Sequence, residues 1–267
     1  MNKRQVLGLA AVKDSLSTVF HENTKLGPLS TRAYAAWILN FATSHAAQQT
    51  LQEAFKLYTL MERFELPRVD ACTELERLIA GRRSVRTFSG AAIGAKELAR
   101  LLAFTYGRTG PRQQLRAIAS AGGLYPLELY VAAFAVDGLP PGLYHFGAET
   151  GHLDVVASGE CRAAFKNVVA WQGVDIDRAA LAVVITAAFR RNTVKYLDRG
   201  YRMVLMEAGE AAQNLCLLAT SMTLGTCLLG GFQDDRLSEM LGIDGVNEAP
   251  LLPIVVGRPA PSGDAVR

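Results

Sequence analysis

The spacing of apolar and polar positions divides the chain into a helical front and a mixed body. Tyr34, Trp37, Ile38 and Phe41 recur at i, i+3, i+4 and i+7, the stripe of an amphipathic helix. Val6, Leu9, Ala10 and Val12 predict an earlier helix, and Leu51, Phe55, Tyr58 and Met61 a later one. Pro67 closes this region. The division expected is a helical N-terminal extension, residues 1–70, and one domain, residues 71–267. Thr73 and Glu76 form a capping box, so a helix starts there and stops near Gly81. Leu98, Leu101, Leu102 and Thr105 share one face of a helix over Ala95–Tyr106. Gly107 to Ala119 is polar and basic, with Arg108, Arg112 and Arg116, and reads as a loop. Strands are predicted over 128–136, 142–146, 153–156, 181–188, 224–229 and 251–256.

The stretch 190–218 stands apart. It opens on a polar segment with Lys195, Tyr196, Asp198, Arg199, Tyr201 and Arg202. From Val204 to Ala219 apolar or small residues then occupy nearly every face, broken only by Glu207, Glu210, Gln213 and Asn214. A helix of that kind belongs in a core or a subunit interface. A reactive-looking polar turn would thus rest on a buried scaffold. Strands and helices do not alternate regularly, which argues α+β and against a doubly wound sheet. No internal repeat appears, and the tail beyond Pro259 is expected to fray.

Charge narrows the partners. The 267 residues carry 28 basic and 25 acidic side chains, a net +3, with no basic run of five or more. Nucleic acid is not an expected partner. A small phosphate-bearing molecule suits the few local arginines better. Cys72, Cys161, Cys216 and Cys227 are far apart and form no CxxC, so a reducing cytoplasm is expected. The four histidines form no HExxH, and no dedicated metal site is expected. The apolar run 6–12 is short and stopped by Lys13 and Asp14, so it reads as a helix and not a signal peptide. No run approaches transmembrane length, and no membrane association is expected.

Four places could carry chemistry. Arg82, Arg83, Ser84 and Arg86 put three guanidiniums and a hydroxyl within five residues, a set suited to a phosphate dianion. Ser120, Ala121, Gly122 and Gly123 make a turn whose backbone a ligand can approach closely. Leu229, Gly230 and Gly231 open a buried strand into a glycine pair, and Arg258 ends the last strand. Taken singly, each also fits a plain surface turn.

Their order and company resemble the SagB-type dehydrogenases, flavin-dependent azoline oxidases of the nitroreductase superfamily. The resemblance rests on Arg-Arg-Ser-Val-Arg-Thr-Phe (82–88), Ser-Ala-Gly-Gly-Leu-Tyr-Pro-Leu-Glu (120–128) and Gly-Leu-Tyr-His-Phe (142–146). It continues through Lys-Tyr-Leu-Asp-Arg-Gly-Tyr-Arg (195–202), Glu-Ala-Gly-Glu-Ala-Ala-Gln-Asn (207–214), Leu-Gly-Thr-Cys (224–227), Gly-Gly-Phe (230–232) and Val-Gly-Arg-Pro (256–259). Phe-His-Glu-Asn-Thr-Lys (20–25) is also similar to the start of those proteins. Two positions depart from the pattern: Ala119 stands where a proline is usual, and Leu197 where a glycine is usual.

The resemblance implies an α+β nitroreductase-like FMN-binding fold, a mixed sheet surrounded by helices, and a tight homodimer with FMN at its interface. Arg82, Ser84 and Arg86, with Arg258, would bind the phosphate. Ser120–Gly123 would follow the isoalloxazine edge, and Leu229, Gly230 and Gly231 would close the other face. Lys195 and Tyr196 would carry the proton chemistry. The partners implied are an azoline-containing peptide or carrier-bound substrate and a synthetase or cyclodehydratase. Two further readings stay open: a general NAD(P)H-dependent flavin oxidoreductase, and a non-catalytic flavin-fold subunit of a synthetase complex. The first 70 residues could dock a partner or simply add packing.

Overall fold

The computed structural model describes residues 15–45, 56, 58, 60–110, 115–170 and 173–261. The helix expected at Val6–Val12, and Leu51 and Phe55 of the later one, lie outside the described residues. Helices α1 (Leu16–Thr24) and α2 (Pro28–Thr43) open the described part of the chain. Residues 60–72 form no helix. The stripe on α2 is real, but Trp37 stays 68% exposed, so this chain alone does not cover it.

The body follows the periodicity closely. The Thr73–Glu76 capping box starts α3 (Glu74–Gly81). Next come β1 (Ile93–Gly94) and α4 (Ala95–Tyr106). Then follow β2 (Leu127–Ala133), β3 (Val136–Asp137), β4 (Gly142–Gly147), β5 (His152–Ser158), α5 (Arg162–Val168) and β6 (Leu181–Ala188). The chain ends with α6 (Arg190–Tyr196), α7 (Asp198–Ser221), β7 (Gly225–Leu228), α8 (Asp234–Leu241) and β8 (Glu248–Gly257). The polar stretch before Val204 is not a turn. It forms α6 and the first turns of α7, bent at Leu197.

Six strands form one antiparallel sheet in the order β5-β4-β2-β6-β8-β7. Parallel pairing occurs between β1 and β3 and at the bridge from Ser84 to Thr226. The central strands read as continuous apolar runs because helices cover both faces. Leu129 and Val131 of β2, with Val183 and Ile185 of β6, face the core that holds Leu98, Leu101, Leu215 and Ala219 of α4 and α7. Tyr130 and Ala132, with Val184, face Phe165, Leu237 and Leu241 of α5 and α8.

Helix α7 buries one stripe, Val204, Ala208, Ala211, Ala212, Leu215 and Ala219. Its opposite face stays open, with Leu205 42% and Met206 60% exposed. The helix is therefore apolar beyond what the chain's own core requires. Among the described residues no helix is long and apolar enough to cross a membrane.

Candidate active site

Two groups of expected site residues sit at opposite ends of the central sheet. The first gathers around the turn before β2. Gly122 has φ 67° within a short 3-10 turn, Ala121–Gly123. A Cβ there would lie 2.7 Å from both Lys195 Nζ and Tyr196 Oη. The two side chains from the end of α6 therefore converge on a backbone that only glycine leaves bare. Lys195 Nζ also stands 5.1 Å from the centroid of the Tyr196 ring, within cation–π range. Lys195 is exposed in the single chain, so the desolvation expected of a catalytic lysine is not supplied by this chain alone.

The turn is anchored from below. Ser120 Oγ donates to Glu207 Oε2 at 2.6 Å and accepts from the Tyr125 amide at 2.9 Å. Tyr106 Oη donates to Glu207 Oε1 at 2.8 Å and accepts from the Leu127 amide at 3.0 Å. Glu207 is 3% exposed. Burial raises its pKa, and the Ser120 and Tyr106 hydroxyls counter only part of that. Arg116 lies over the Tyr106 and Tyr125 rings, at 4.5 and 4.9 Å.

A second strut ties α6 to the same turn. Arg191 pairs with Glu128 at 2.5 Å and donates to the Tyr125 carbonyl at 3.1 Å. His145 Nε2 lies 3.1 Å from Glu128 Oε2. Burial opposes ionisation of Glu128, but its bonds with His145 and Arg191 outweigh burial and hold its pKa down. The Glu128 bond in turn raises the His145 pKa, against the opposing effect of burial.

The second group lies at the far end of the sheet. The extended segment 82–88 pairs with β7: Ser84 bridges Thr226, and the Val85 amide donates to the Thr226 carbonyl at 2.8 Å. Gly225 permits this, since a Cβ there would come within 2.6 Å of Val85. Ser84 and Arg86 are exposed and Arg82 is half-buried. Arg83 turns back to the end of α3, donating to the carbonyls of Ala80 and Arg82 at 2.8 and 2.9 Å. Arg258 is bonded to the Glu97 carboxylate at 2.9 and 3.1 Å and to the Ala92 carbonyl at 3.2 Å.

Register sets the separation. The turn and α6 flank the level at which Leu127, Ala187 and Ala249 pair; Ser84 and Arg258 flank the level of Leu181, Val256 and Thr226. From Ala249 to Val256 is about 23 Å at ~3.3 Å per residue. Helix α7 offers a second ruler, since Asp198 follows the Lys–Tyr pair and the charge of Arg82 acts on the Cys216 thiol. Those two residues lie roughly 27 Å apart along the helix. Leu229–Gly231 lies at the same end of the sheet as Gly122, but β7 is three strands away from β2, about 14 Å. A cavity of about 270 Å³ opens beside Gly230, lined also by His21, Tyr34, Tyr201, Phe232 and Leu251.

Sequence reasoning missed Glu207 and Tyr106 as the support of the turn, and Glu128 and Arg191 as the brace of α6. A lone acid inside an apolar helix was the signal for Glu207. Nothing local marked the others, because their partners are distant in sequence.

Known proteins share this architecture. The model of the Nitroreductase family matches residues 79–258. A Methanocaldococcus jannaschii protein classed as a nitroreductase, MJ1384, is 36% identical over 194 residues, covering 73% of this chain and 95% of its own. The Escherichia coli microcin B17-processing protein McbC is 25% identical over 164 residues, 60% of each chain. A chain of the E. coli microcin synthetase McbBCD complex, solved with truncated pro-MccB17 bound, superposes with a TM-score of 0.63 at 20% identity. That match covers 93% of this chain and 100% of the other, and at such identity it shows the fold. The chain belongs to the nitroreductase family of flavin-dependent oxidoreductases.

Proposed function

We propose that this protein is an FMN-dependent dehydrogenase that converts a thiazoline or oxazoline to a thiazole or oxazole in peptide natural-product biosynthesis. The observation that carries the reading is the convergence of Lys195 Nζ and Tyr196 Oη on the bare backbone of Gly122. The likeness to McbC supports it.

Arg82, Ser84 and Arg86 would hold the FMN phosphate, and Leu229–Gly231 the ring. From Thr226, opposite Ser84, to Gly230 is about 13 Å along β7 and beyond it, a span suited to a phosphate and ring separated by a ribityl chain. The cavity beside Gly230 gives room at the ring end. Arg83 and Arg258, bonded to backbone carbonyls and to Glu97 in the single chain, would join the phosphate site by exchanging those bonds for the phosphate. One chain does not bring its own Lys195 over a ring held by its own Leu229–Gly231, because the strands that lead to Gly122 and Gly230 lie three apart, about 14 Å across the sheet. A homodimer joins them: one subunit holds the cofactor, and its partner supplies Ser120–Gly123, Lys195 and Tyr196. The open apolar face of α7 suits such an interface.

Bound FMN would supply the acceptor for the hydride that leaves the azoline ring. Lys195 takes the accompanying proton from carbon, and Tyr196 orients the amine or shares that proton. The ring loses one hydride and one proton and becomes aromatic. Enclosure by the partner subunit and substrate would strip water from around Lys195. The substrate would be a ribosomal peptide or a carrier-bound intermediate, delivered by a synthetase or cyclodehydratase partner.

The test is direct. FMN-loaded protein incubated with a thiazoline-bearing peptide should remove two hydrogens, read by mass, and Lys195→Ala should keep FMN but lose roughly 10²–10⁴-fold in rate. The likeness to MJ1384 favours a second reading, a general NAD(P)H-dependent reductase. Oxidation of NAD(P)H with a nitroarene acceptor, and no turnover of the azoline, would select it.

A further inference from the structure

The elbow that carries the Lys–Tyr pair is strained. Leu197 adopts φ 51° and ψ −143°, close to a region populated almost only by glycine. Its amide donates to the Thr193 carbonyl, and its carbonyl accepts from the Gly200 amide, both at 2.9 Å. These local bonds define the bend but do not explain what keeps its two arms in place.

Helix α1 packs on the first turn of α7 and on Phe189, the residue before α6. Ser17 donates to Asp198 Oδ1 through its amide, 3.1 Å, and its hydroxyl, 2.6 Å. These bonds hold the Asp198 carboxyl below its ordinary pKa. His21 Nδ1 lies 3.2 Å from Tyr201 Oη, and the His21 ring meets Phe189 edge-on at 5.0 Å. Phe189 immediately precedes α6, while Asp198 and Tyr201 open α7. Burial, aided by the Lys25 charge, lowers the His21 pKa and so favours the neutral ring beside Tyr201. The end of α1 is fastened to the body in turn. The Leu26 amide donates to Asp234 Oδ2 at 2.8 Å, the Asp234 amide donates to the Leu26 carbonyl at 3.2 Å, and Lys25 Nζ donates to the Gly245 carbonyl at 2.8 Å.

We propose that α1 is a positioning clamp for the proton-transfer pair: Ser17 and His21 hold the Leu197 elbow in the bend that turns Lys195 and Tyr196 onto Gly122. The inference rests on the reading of that pair as proton-transfer groups. It makes the N-terminal helix a working part of the site, distinct from a docking appendage or added packing.

The test uses the full-length, FMN-loaded protein with its lysines reductively ¹³C-methylated, the Lys195 signal being assigned by its absence from Lys195→Ala. Ser17→Ala and Asp198→Ala should each shift or broaden that signal and, in unmethylated protein, lower kcat for azoline oxidation roughly 10-fold to 100-fold at unchanged KM. Ser17→Thr, which keeps the hydroxyl, should restore both. An unchanged Lys195 signal in Ser17→Ala and Asp198→Ala would overturn the clamp, as would a loss that Ser17→Thr fails to rescue. A signal that moves in a protein whose wild type oxidises no azoline would uphold the clamp and remove the assigned reaction instead.

Discussion

Replacing Leu197 by glycine should stabilise this protein, although such a change inside a helical region ordinarily weakens one. Leu197 is held at φ 51°, ψ −143° by hydrogen bonds on both sides. A side-chain-bearing residue in that part of the backbone map costs of order 1–3 kcal/mol. Glycine removes the cost but frees the unfolded chain by about 0.4–1 kcal/mol. Little packing is lost, since Leu197 is 74% exposed. The balance is a gain of roughly 0.5–2 kcal/mol, or a Tm higher by about 2–6 °C for a domain of this size. Thermal unfolding followed by circular dichroism measures it. Leu197→Ala is the control, because it keeps the Cβ and should gain nothing. A glycine variant no more stable than wild type, or an alanine variant equally stabilised, would refute the strain argument.

Two further outcomes follow from the same geometry. Gly122→Ala should displace Lys195 Nζ and Tyr196 Oη, which a Cβ would crowd at 2.7 Å; azoline turnover per bound flavin should fall, and undiminished turnover would count against the site. The raised pKa of His145 is set first by its bond to Glu128, with Glu248 and Asp154 adding to it. The protonated histidine therefore stabilises the fold fully below pH 6.5, and the contribution is lost as pH rises through the elevated folded value. Unfolding free energy measured against pH should decline across that window in wild type and less in His145→Gln, and parallel curves would contradict the assignment.

Much of the body was legible because its signals are local. The Thr73–Glu76 box marks its helix, and the stripe through Leu98, Leu101, Leu102 and Thr105 marks α4. The two-sided burial of β6 yields an unbroken apolar run. The Lys195–Tyr196 segment was misread as a turn because α6 is a short, mostly exposed helix with no apolar stripe to announce it. Helices α5 and α8 do bury apolar side chains, Phe165 and Val168 in one and Leu237 and Leu241 in the other, but each runs only about two turns, too short for a periodic stripe to stand out. The small residues of α7 suggested burial on all sides, yet the chain itself covers one stripe and leaves Leu205 and Met206 open. Pairings such as Ser120 with Glu207 and Arg258 with Glu97 join residues 87 and 161 positions apart. No local pattern encodes contacts of that range. Arg83 and Arg258 have the composition of a phosphate site, and the sequence did not show that in the single chain they are bonded to the end of α3 and to the Glu97 carboxylate.

The account turns on a site shared between subunits, and complementation tests it most directly. One subunit carries Lys195→Ala with Arg82 and Arg86 intact; the other carries Arg82→Ala and Arg86→Ala with Lys195 intact. Each homodimer should be inactive toward a thiazoline-bearing peptide. Co-expressed and purified as a doubly tagged heterodimer, they should rebuild one complete site, bind one FMN per dimer and recover up to about half of the wild-type rate. A verified heterodimer with no azoline oxidation above that of the parent variants would contradict the shared site.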